Sequence, residues 1–309
     1  EAAIKLARRH HGRGRHVVLS AFRSFHGRTL ATLAATGQPE KHEPFQPLPE
    51  GFRHAAWNDL DAFEAAVDPT VGAILLEPLQ GEAGVLPGDP GFFSGIRRLC
   101  DERGILLIMD EVQTGLGRTG RWFGFHHHGV RADIVTMAKG MASSYAPISA
   151  AAVRSEIFEE FLHDPGEKYD YFRDISTYGG CTGGFAAALE NMRIVEEEDL
   201  VENARAVGAY LLDRLQELAD HPNVGDVRGK GLFAGIELVA DKSSKVPLGE
   251  DVMGAVMRTV TEEGVLIGRT NRRIPGHNNT LNIAPPLIVS KADIDEIVAA
   301  VRVGIEKGC

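Results

Sequence analysis

Short apolar runs alternate with amphipathic stretches along the first 190 residues or so of the chain. The runs have the length of strands that are buried on both faces of a parallel sheet, and they lie at Val17–Ala21, Val71–Leu76, Gly104–Met109 and Ile134–Met137. The clearest helical stretch is Asp89–Arg103, with Asp89 at the cap position and Gly104 after its end. Strands that alternate with helices in this way predict a βαβ sheet.

After about residue 190 the pattern becomes that of a smaller α+β unit. A long amphipathic helix places apolar residues on one face between Leu200 and Leu218. Two strand candidates follow, Val224–Val227 and Leu232–Val239, and a last helix begins at a capping box formed by Ser290 and Asp293. We therefore predict a large domain over residues 1–196 and a small C-terminal domain over residues 197–309.

Composition narrows the class of protein and its partners. A hydrophobic content of 43% with 25% charged residues excludes a disordered, collagenous or coiled-coil chain. The net charge of −10 offers no basic footprint for nucleic acid or anionic lipid, and no apolar run approaches the roughly 18 residues of a membrane span. Three separated cysteines without a CxxC pair fit a reducing compartment. We expect a cytoplasmic protein that binds small molecules or a second copy of itself.

Two candidate catalytic residues follow neighbouring predicted strands. Asp110 ends the apolar run Ile105–Met109, where on its own a helix cap or loop acid is the simpler interpretation. Lys139 follows the next strand, and we expect it to be partly buried with a lowered pKa, as a Schiff-base amine requires; a surface lysine is the alternative. An acid and an amine at one sheet edge suit pyridoxal phosphate, which needs a lysine for attachment and an acid for its ring nitrogen.

The residues around this pair resemble the signature of class III pyridoxal-phosphate aminotransferases. The sequence reads DEVQTGLGRTG from Asp110 to Gly120, and further motifs in the family's order lie at Ser24–Gly27, Leu76–Gly81, Ala138–Gly140 and Ser176–Gly179. The resemblance covers essentially the whole chain. It implies a homodimeric transaminase of the fold-type I architecture, with a mainly parallel sheet flanked by helices and a smaller C-terminal α+β domain.

The resemblance also implies which residues form the site. Lys139 would form the imine and carry the proton, and Asp110 would bind the pyridine nitrogen. The other cofactor-binding positions that match the family are Phe25, His26, Gly27, Glu77, Val112, Gln113 and Thr177.

Four of these matches carry a specific expectation. Phe25 and Val112 would pack on the two faces of the cofactor ring, and Gln113 would bind its hydroxyl group; core or loop positions are the alternative for each. Thr177 would reach the cofactor phosphate of a neighbouring subunit, which requires a homodimer. We expect no metal site, because the adjacent histidines His126–His128 cannot all face one ion.

Three residues are candidate substrate ligands: Glu82, Arg269 and Asn282. Glu82 matches an acid that pairs with a substrate-gating arginine in ornithine-type relatives, although an exposed loop acid fits equally well. Asn282 stands where those relatives carry the arginine, and a neutral amide cannot grip a carboxylate bidentately. Arg269, Arg272 or Arg273 could supply the charge instead, or could be solvated loop residues.

The two halves of the chain resemble different relatives. Phe25–Pro49 resembles acetylornithine and ornithine aminotransferases, whereas the chain from about Phe123 resembles taurine–pyruvate and other ω-amino acid–pyruvate aminotransferases. We expect transfer of an amino group from an ω-amino acid or amine to pyruvate or a similar 2-oxo acid. Acetylornithine or ornithine transamination is the alternative within the class.

The beginning of the sequence suggests an N-terminal truncation. Glu1–Ala7 resembles the inside of the helix that would follow the family's phosphate-binding turn, so we expect that turn to be missing and the bare chain to bind cofactor poorly. A hypothesis of another class is therefore a non-catalytic remnant. A visible spectrum after incubation with pyridoxal phosphate separates the two, because only a functional site would become coloured.

Overall fold

The computed structural model describes residues 1–162, 171–270, 276 and 279–309. The strands are β1 (Val17–Ala21), β2 (Phe52–Ala55), β3 (Val71–Leu76), β4 (Leu79–Gln80), β5 (Leu86–Pro87), β6 (Leu106–Asp110), β7 (Ile134–Met137), β8 (Ala150–Val153), β9 (Val224–Lys230), β10 (Phe233–Asp241), β11 (Val246–Pro247), β12 (Gly268–Arg269) and β13 (Thr280–Ile283). The α-helices are α1 (Ala2–His11), α2 (Leu30–Ala35), α3 (Pro39–His42), α4 (Leu60–Ala66), α5 (Pro90–Arg103), α6 (Ser155–Glu159), α7 (Thr182–Glu197), α8 (Leu200–Gln216), α9 (Glu250–Glu262) and α10 (Lys291–Gly308).

The first compact unit comprises Glu1–Pro78, Gly88–Gly115 and Gly124–Ile194. Its sheet has the strand order β2-β1-β3-β6-β7-β8. The first five strands are parallel, and β8 runs antiparallel to β7 at the edge. The predicted mainly parallel sheet is therefore confirmed, and all four predicted strands belong to it.

The central strands of this sheet are buried along their whole length, because both of their faces are covered. One face packs against α1 through Ala73, Leu75, Leu106 and Ile108. The alternate positions Ile74, Leu76, Leu107 and Met109 are also fully buried. This two-sided burial is the physical reason that the strands read as continuous apolar runs in the sequence.

The second unit comprises Leu79–Pro87, Leu116–Phe123 and Val195–Cys309. Its antiparallel sheet has the order β11-β10-β13-β12, with β9 also paired to β10. One face carries Ala234, Ile236, Leu238, Leu281 and Ile283 into a core with α8, α9 and α10. Because side chains alternate along a strand, Gly235 and Asn282, which are paired in register, lie on the opposite face.

Two short segments from early in the chain belong to this second unit. In the first of these segments, Leu79–Pro87, the side chains of Val85 and Leu79 pack against Phe233. In the second segment, the Arg118 guanidinium donates to the backbone oxygens of Leu232, at 3.0 Å, and of Pro285. The hydrophobic pattern shows no sign of this, because the unit against which a short segment packs is set by tertiary contacts and not by periodicity.

The structure has the helix caps that the sequence predicted for α5 and α10, with one difference. The capping box of α10 is present, and Gly104 ends α5 in the left-handed conformation, with a φ of 59°. Asp89 occupies the cap position of α5, but its side chain makes no capping hydrogen bond. No helix in the described ranges is both long and apolar enough to cross a bilayer.

Candidate active site

Four neighbouring parallel strands deliver the predicted residues of the first unit to one sheet edge. Phe25, His26 and Gly27 follow β1, and Glu77 follows β3. Asp110 is the last residue of β6, and its partner in β7 is Thr136, three residues before Lys139. The carboxyl ends of parallel strands form the edge at which open α/β sheets bind ligands.

A buried carboxylate and a buried imidazole are paired at this edge. Asp110 is 8% exposed, and its Oδ2 accepts a hydrogen bond from His26 Nδ1 at 2.9 Å. The backbone nitrogen of Val112 donates to Asp110 Oδ1 at 3.1 Å. The His26 ring is almost completely buried, and its Nε2 makes no hydrogen bond within the described part of the chain. These contacts fix the orientation of the Asp110 carboxylate.

The turn after β1 has room only for glycine at position 27. Gly27 has a φ of 141°, and a Cβ atom there would lie 2.4 Å from Thr32 Oγ1. The preceding residue, His26, donates its backbone N–H to Thr36 Oγ1 at 2.9 Å. The turn therefore packs directly on α2 and its C-terminal cap, which positions the His26 ring beside Asp110.

Phe25 is held between an acid and two cations. Its backbone nitrogen donates to Glu77 Oε2 at 3.1 Å, and Glu77 is 4% exposed. Lys41 Nζ and the Arg28 guanidinium carbon lie 4.8 Å and 5.5 Å from the centre of the half-buried Phe25 ring. Cations at this distance from an aromatic ring are attracted to its face, so the ring is held on at least one side.

Lys139 is exposed, so our expectation that it is partly buried is wrong for the described structure. The reason is its place in the sheet: β7 lies next to the edge strand β8, and three of its four residues are only half-buried. Lys139 has a φ of 41°, in the left-handed region that non-glycine residues seldom adopt. Backbone strain of this kind is characteristic of functional positions.

Asn191 of α7 holds the turn that follows Lys139, and sequence reasoning missed it. Its Nδ2 donates to the backbone oxygens of Gly140 and Met141 at 2.8 Å and 3.1 Å. Ser143 Oγ donates to Asn191 Oδ1 at 2.6 Å. No local pattern could have found this residue, because its role depends on how α7 packs.

Glu111 is a second residue that sequence reasoning did not single out. It is 2% exposed and accepts hydrogen bonds from Thr114 Oγ1 at 2.6 Å, from Gly124 N at 2.9 Å and from Phe125 N at 2.8 Å. Burial raises the pKa of its carboxyl group, and the three accepted hydrogen bonds oppose that shift. Its place directly after Asp110 in a dense polar motif was the available signal.

The remaining predicted cofactor positions differ in exposure. Val112 and Gln113 are half-buried in the turn that Glu111 holds. Thr177 is exposed, in a turn closed by a hydrogen bond from Gly179 N to Ser176 O at 3.0 Å. The structure therefore brings the first two to the edge beside Asp110 and leaves Thr177 on the surface of the first unit.

The three candidate substrate ligands lie in the second unit, and two of them, Asn282 and Arg269, are on different faces of its sheet. Asn282 is on the face opposite the core that packs against α8, α9 and α10, and its Oδ1 is buried with no hydrogen-bond partner among the described residues. Glu82 is half-buried in the turn between β4 and β5. Arg269 pairs with Leu281 in register and so points to the opposite face, where its Nη2 donates to Glu250 Oε1 at 2.6 Å. Arg272 and Arg273 lie outside the described residues.

Comparison with known protein families gives one match across the chain. The family model of the class-III aminotransferases matches residues 1–303. Among curated proteins, the taurine–pyruvate aminotransferase of Bilophila wadsworthia is 44% identical over 328 residues, which cover 97% of this chain and 72% of that protein. The acetylornithine aminotransferase of Thermosynechococcus vestitus is also 44% identical, over 97% of this chain and 70% of that protein.

Solved structures agree with the sequence comparison. A Bacillus anthracis aminotransferase superposes on this chain with a TM-score of 0.94 at 36% sequence identity. The match covers 99% of this chain and 73% of the Bacillus anthracis chain. An amine transaminase from an uncultivated Pseudomonas species, in its PLP-bound form, superposes with a TM-score of 0.92 at 29% identity. That match covers 99% of this chain and 74% of the transaminase.

Proposed function

Because the chain belongs to the class III aminotransferases, which depend on pyridoxal phosphate, we propose that it moves an amino group from an ω-amino acid or amine to pyruvate or a similar 2-oxo acid. The observation that carries the proposal is the delivery of Asp110 and Lys139 to one sheet edge by adjacent parallel strands. Pyridoxal phosphate supplies there an electron-accepting ring that stabilises negative charge on the substrate carbon.

The residues at this edge fit such a cofactor. A buried carboxylate is stabilised by a protonated nitrogen partner, and Asp110 is buried in an orientation set by His26 and Val112. The buried Nε2 of His26 has no hydrogen-bond partner among the described residues, which supports the proposal that a polar ligand binds at this edge. Asp110 would hold a proton on the ring nitrogen, which keeps the ring electron-accepting.

Lys139 would bind the cofactor covalently through Nζ. The amino group of the donor would replace it there, and the released lysine amine would then act as general base and acid on the substrate carbon. Lys139 is exposed, and Asn191 fixes the turn that follows it. Phe25 and Val112 would pack against the cofactor ring, and Gln113 would bind its hydroxyl group. Glu77 would orient Phe25 through the backbone hydrogen bond at 3.1 Å.

Borohydride reduction of cofactor-loaded protein, followed by peptide mapping, tests the attachment site. We expect the adduct on Lys139, with Lys139→Ala inactive and Lys307→Ala, a change on the exposed end of α10, unaffected. Asp110→Asn should lower kcat by more than tenfold, equal to about 1.4 kcal/mol of barrier. An adduct on another lysine, or an Asp110→Asn variant with more than a tenth of the rate, would contradict these assignments.

The choice of amino donor is proposed from Asn282. A neutral amide there cannot grip a carboxylate as a guanidinium does, so ornithine-like selection should be weak. We expect taurine, β-alanine or simple amines to exceed N-acetylornithine in kcat/KM with pyruvate as acceptor. The acetylornithine relative at 44% identity keeps the second candidate open, and a preference for N-acetylornithine with 2-oxoglutarate would establish it instead.

We also propose that the enzyme is a homodimer, because the first unit exposes several large apolar side chains. Tyr145, Ile175 and Tyr178 are 91%, 84% and 85% exposed, and the last two flank Thr177. A second copy would bury them and receive Thr177 at its cofactor phosphate. Mixing Lys139→Ala with Thr177→Ala chains should give more activity than either variant alone, and no recovery would count against a shared site.

A cytoplasmic location is proposed from the cysteines. Cys100, Cys181 and Cys309 are all unpaired, and Cys100 is buried. Free thiols are typical of a reducing compartment. Alkylation of the thiols in fractionated cells would test this.

A further inference from the structure

Arg228 on β9 is the centre of a hydrogen-bond network on the face of the second unit's sheet that lies opposite its helical core. Its side chain is 12% exposed. Its Nε donates to the backbone oxygens of Gly84 and Val85 at 2.9 Å and 3.2 Å, and its Nη1 donates to Asp226 Oδ2 at 2.8 Å and to Glu237 Oε2 at 2.5 Å. One guanidinium thus joins two carboxylates of the sheet to the backbone of the turn between β4 and β5.

The turn fits the sheet closely on both sides of this contact. Gly84 has a φ of 120°, and a Cβ atom there would lie 2.9 Å from Arg228 Nη2. Val85 is fully buried, and a Cβ atom on Gly235 would lie 2.9 Å from Val85 Cβ. Both close approaches depend on the absence of a side chain, so the turn packs tightly against the sheet at Gly84 and Gly235.

The same contact relates two candidate substrate residues to each other. Glu82 lies two residues before Gly84 in the docked turn. Asn282 is paired in register with Gly235, the residue that receives Val85. The position of Glu82 relative to Asn282 therefore depends on how the turn between β4 and β5 packs on the sheet. Arg228 supplies the charged hydrogen-bond donors of that packing contact.

We propose that Arg228 is a positioning residue for the amino donor, which acts by holding the turn that carries Glu82 against the sheet that carries Asn282. This inference rests on the proposed function, and it takes Glu82 and Asn282, two of the candidate substrate ligands, to lie where the amino donor binds. The planar guanidinium matters, since it donates to two carbonyls and two carboxylates at once. A lysine ammonium is a point charge with three donors and cannot reproduce that arrangement.

A double-mutant cycle separates positioning from simple structural support. We expect Arg228→Lys to lower kcat/KM for the preferred donor by about tenfold, mainly through KM, and Glu82→Gln to do the same. The double variant should be no worse than either single variant, because both remove one function. Arg302→Lys, on α10 with its ion pair to Glu217, is the matched control and should behave as wild type.

Losses that multiply in the double variant would mean that Arg228 only supports the fold, and would overturn the proposal. An unchanged KM in either single variant would overturn it too. If Arg228→Lys does not fold, Gly84→Ala disturbs the same contact, because the added Cβ atom would clash with the Arg228 guanidinium. That variant should show the same rise in KM and the same lack of additivity with Glu82→Gln.

Hydrogen exchange supplies a readout that does not need activity. The backbone amides of residues 79–87 should exchange faster in Arg228→Lys than in Arg302→Lys, while those of β6 and β7 should not change. Unchanged exchange in residues 79–87 would overturn the docking itself. Absence of transamination with every donor, by parent protein whose visible spectrum shows bound cofactor, would instead overturn the proposed function.

Discussion

Replacing Glu111 tests whether a buried, ionised carboxylate holds the turn after Asp110. Glu111 accepts hydrogen bonds from one hydroxyl and two backbone N–H groups in an almost fully buried site. A carboxamide offers a single acceptor oxygen, so Glu111→Gln leaves at least one buried N–H facing an NH₂ group. A buried donor without an acceptor costs about 1–3 kcal/mol, and we expect Glu111→Gln to lose about 2 kcal/mol of stability at neutral pH.

Two further variants calibrate that value. Glu111→Ala removes the acceptor for all three donors and leaves a cavity, so it should lose about 4 kcal/mol or more. Glu102→Gln on α5 changes a carboxylate whose side chain is 62% exposed and lies 3.8 Å from Arg98, and it should stay within about 0.5 kcal/mol of wild type.

Urea unfolding followed by circular dichroism measures these differences, with the m-value checked for each variant. A stability of Glu111→Gln within about 0.5 kcal/mol of wild type would refute the reasoning. That result would mean that the carboxyl group is protonated in the fold, since an amide imitates a neutral carboxyl group well. Burial raises the pKa of Glu111, so the experiment decides whether the three donors outweigh burial at neutral pH.

Two other predictions concern the first unit. Burial lowers the pKa of His54 to about 4, so between its usual value of 6.5 and 4 only the unfolded chain binds the proton. Stability should therefore fall by about 3 kcal/mol as the pH drops through that window, and His54→Gln should lack this part of the pH dependence in urea titrations. Gly27→Ala should cost about 2 kcal/mol or more and weaken cofactor binding, because its Cβ would lie 2.4 Å from Thr32 Oγ1. Gly91→Ala, which would meet nothing within 4 Å, is the matched control, and equal thermal unfolding of the two variants would contradict the prediction.

The sequence by itself determined the features that arise from local chemistry and from burial on both faces. The four apolar runs predicted β1, β3, β6 and β7, because a strand covered on both faces has no polar positions. The sequence did not predict the edge strand β2. Three of its four residues are only half-buried, so this strand does not form a continuous apolar run. The motif at Asp110 led to the family, and the strand order then brought Asp110 and Lys139 to one edge.

Only the tertiary structure decided which residues support the site. Glu111 and Asn191 act on backbone groups that lie 13 to 14 and 50 to 51 residues away, and no periodicity records such a distance. The exposure of Lys139 depends on the position of β7 next to an edge strand. Register separated Arg269 from Asn282, because neighbouring positions on paired strands point to opposite faces of the sheet. The sequence offers both residues as candidate substrate ligands, and only the pairing of strands decides which face of the sheet each side chain lies on.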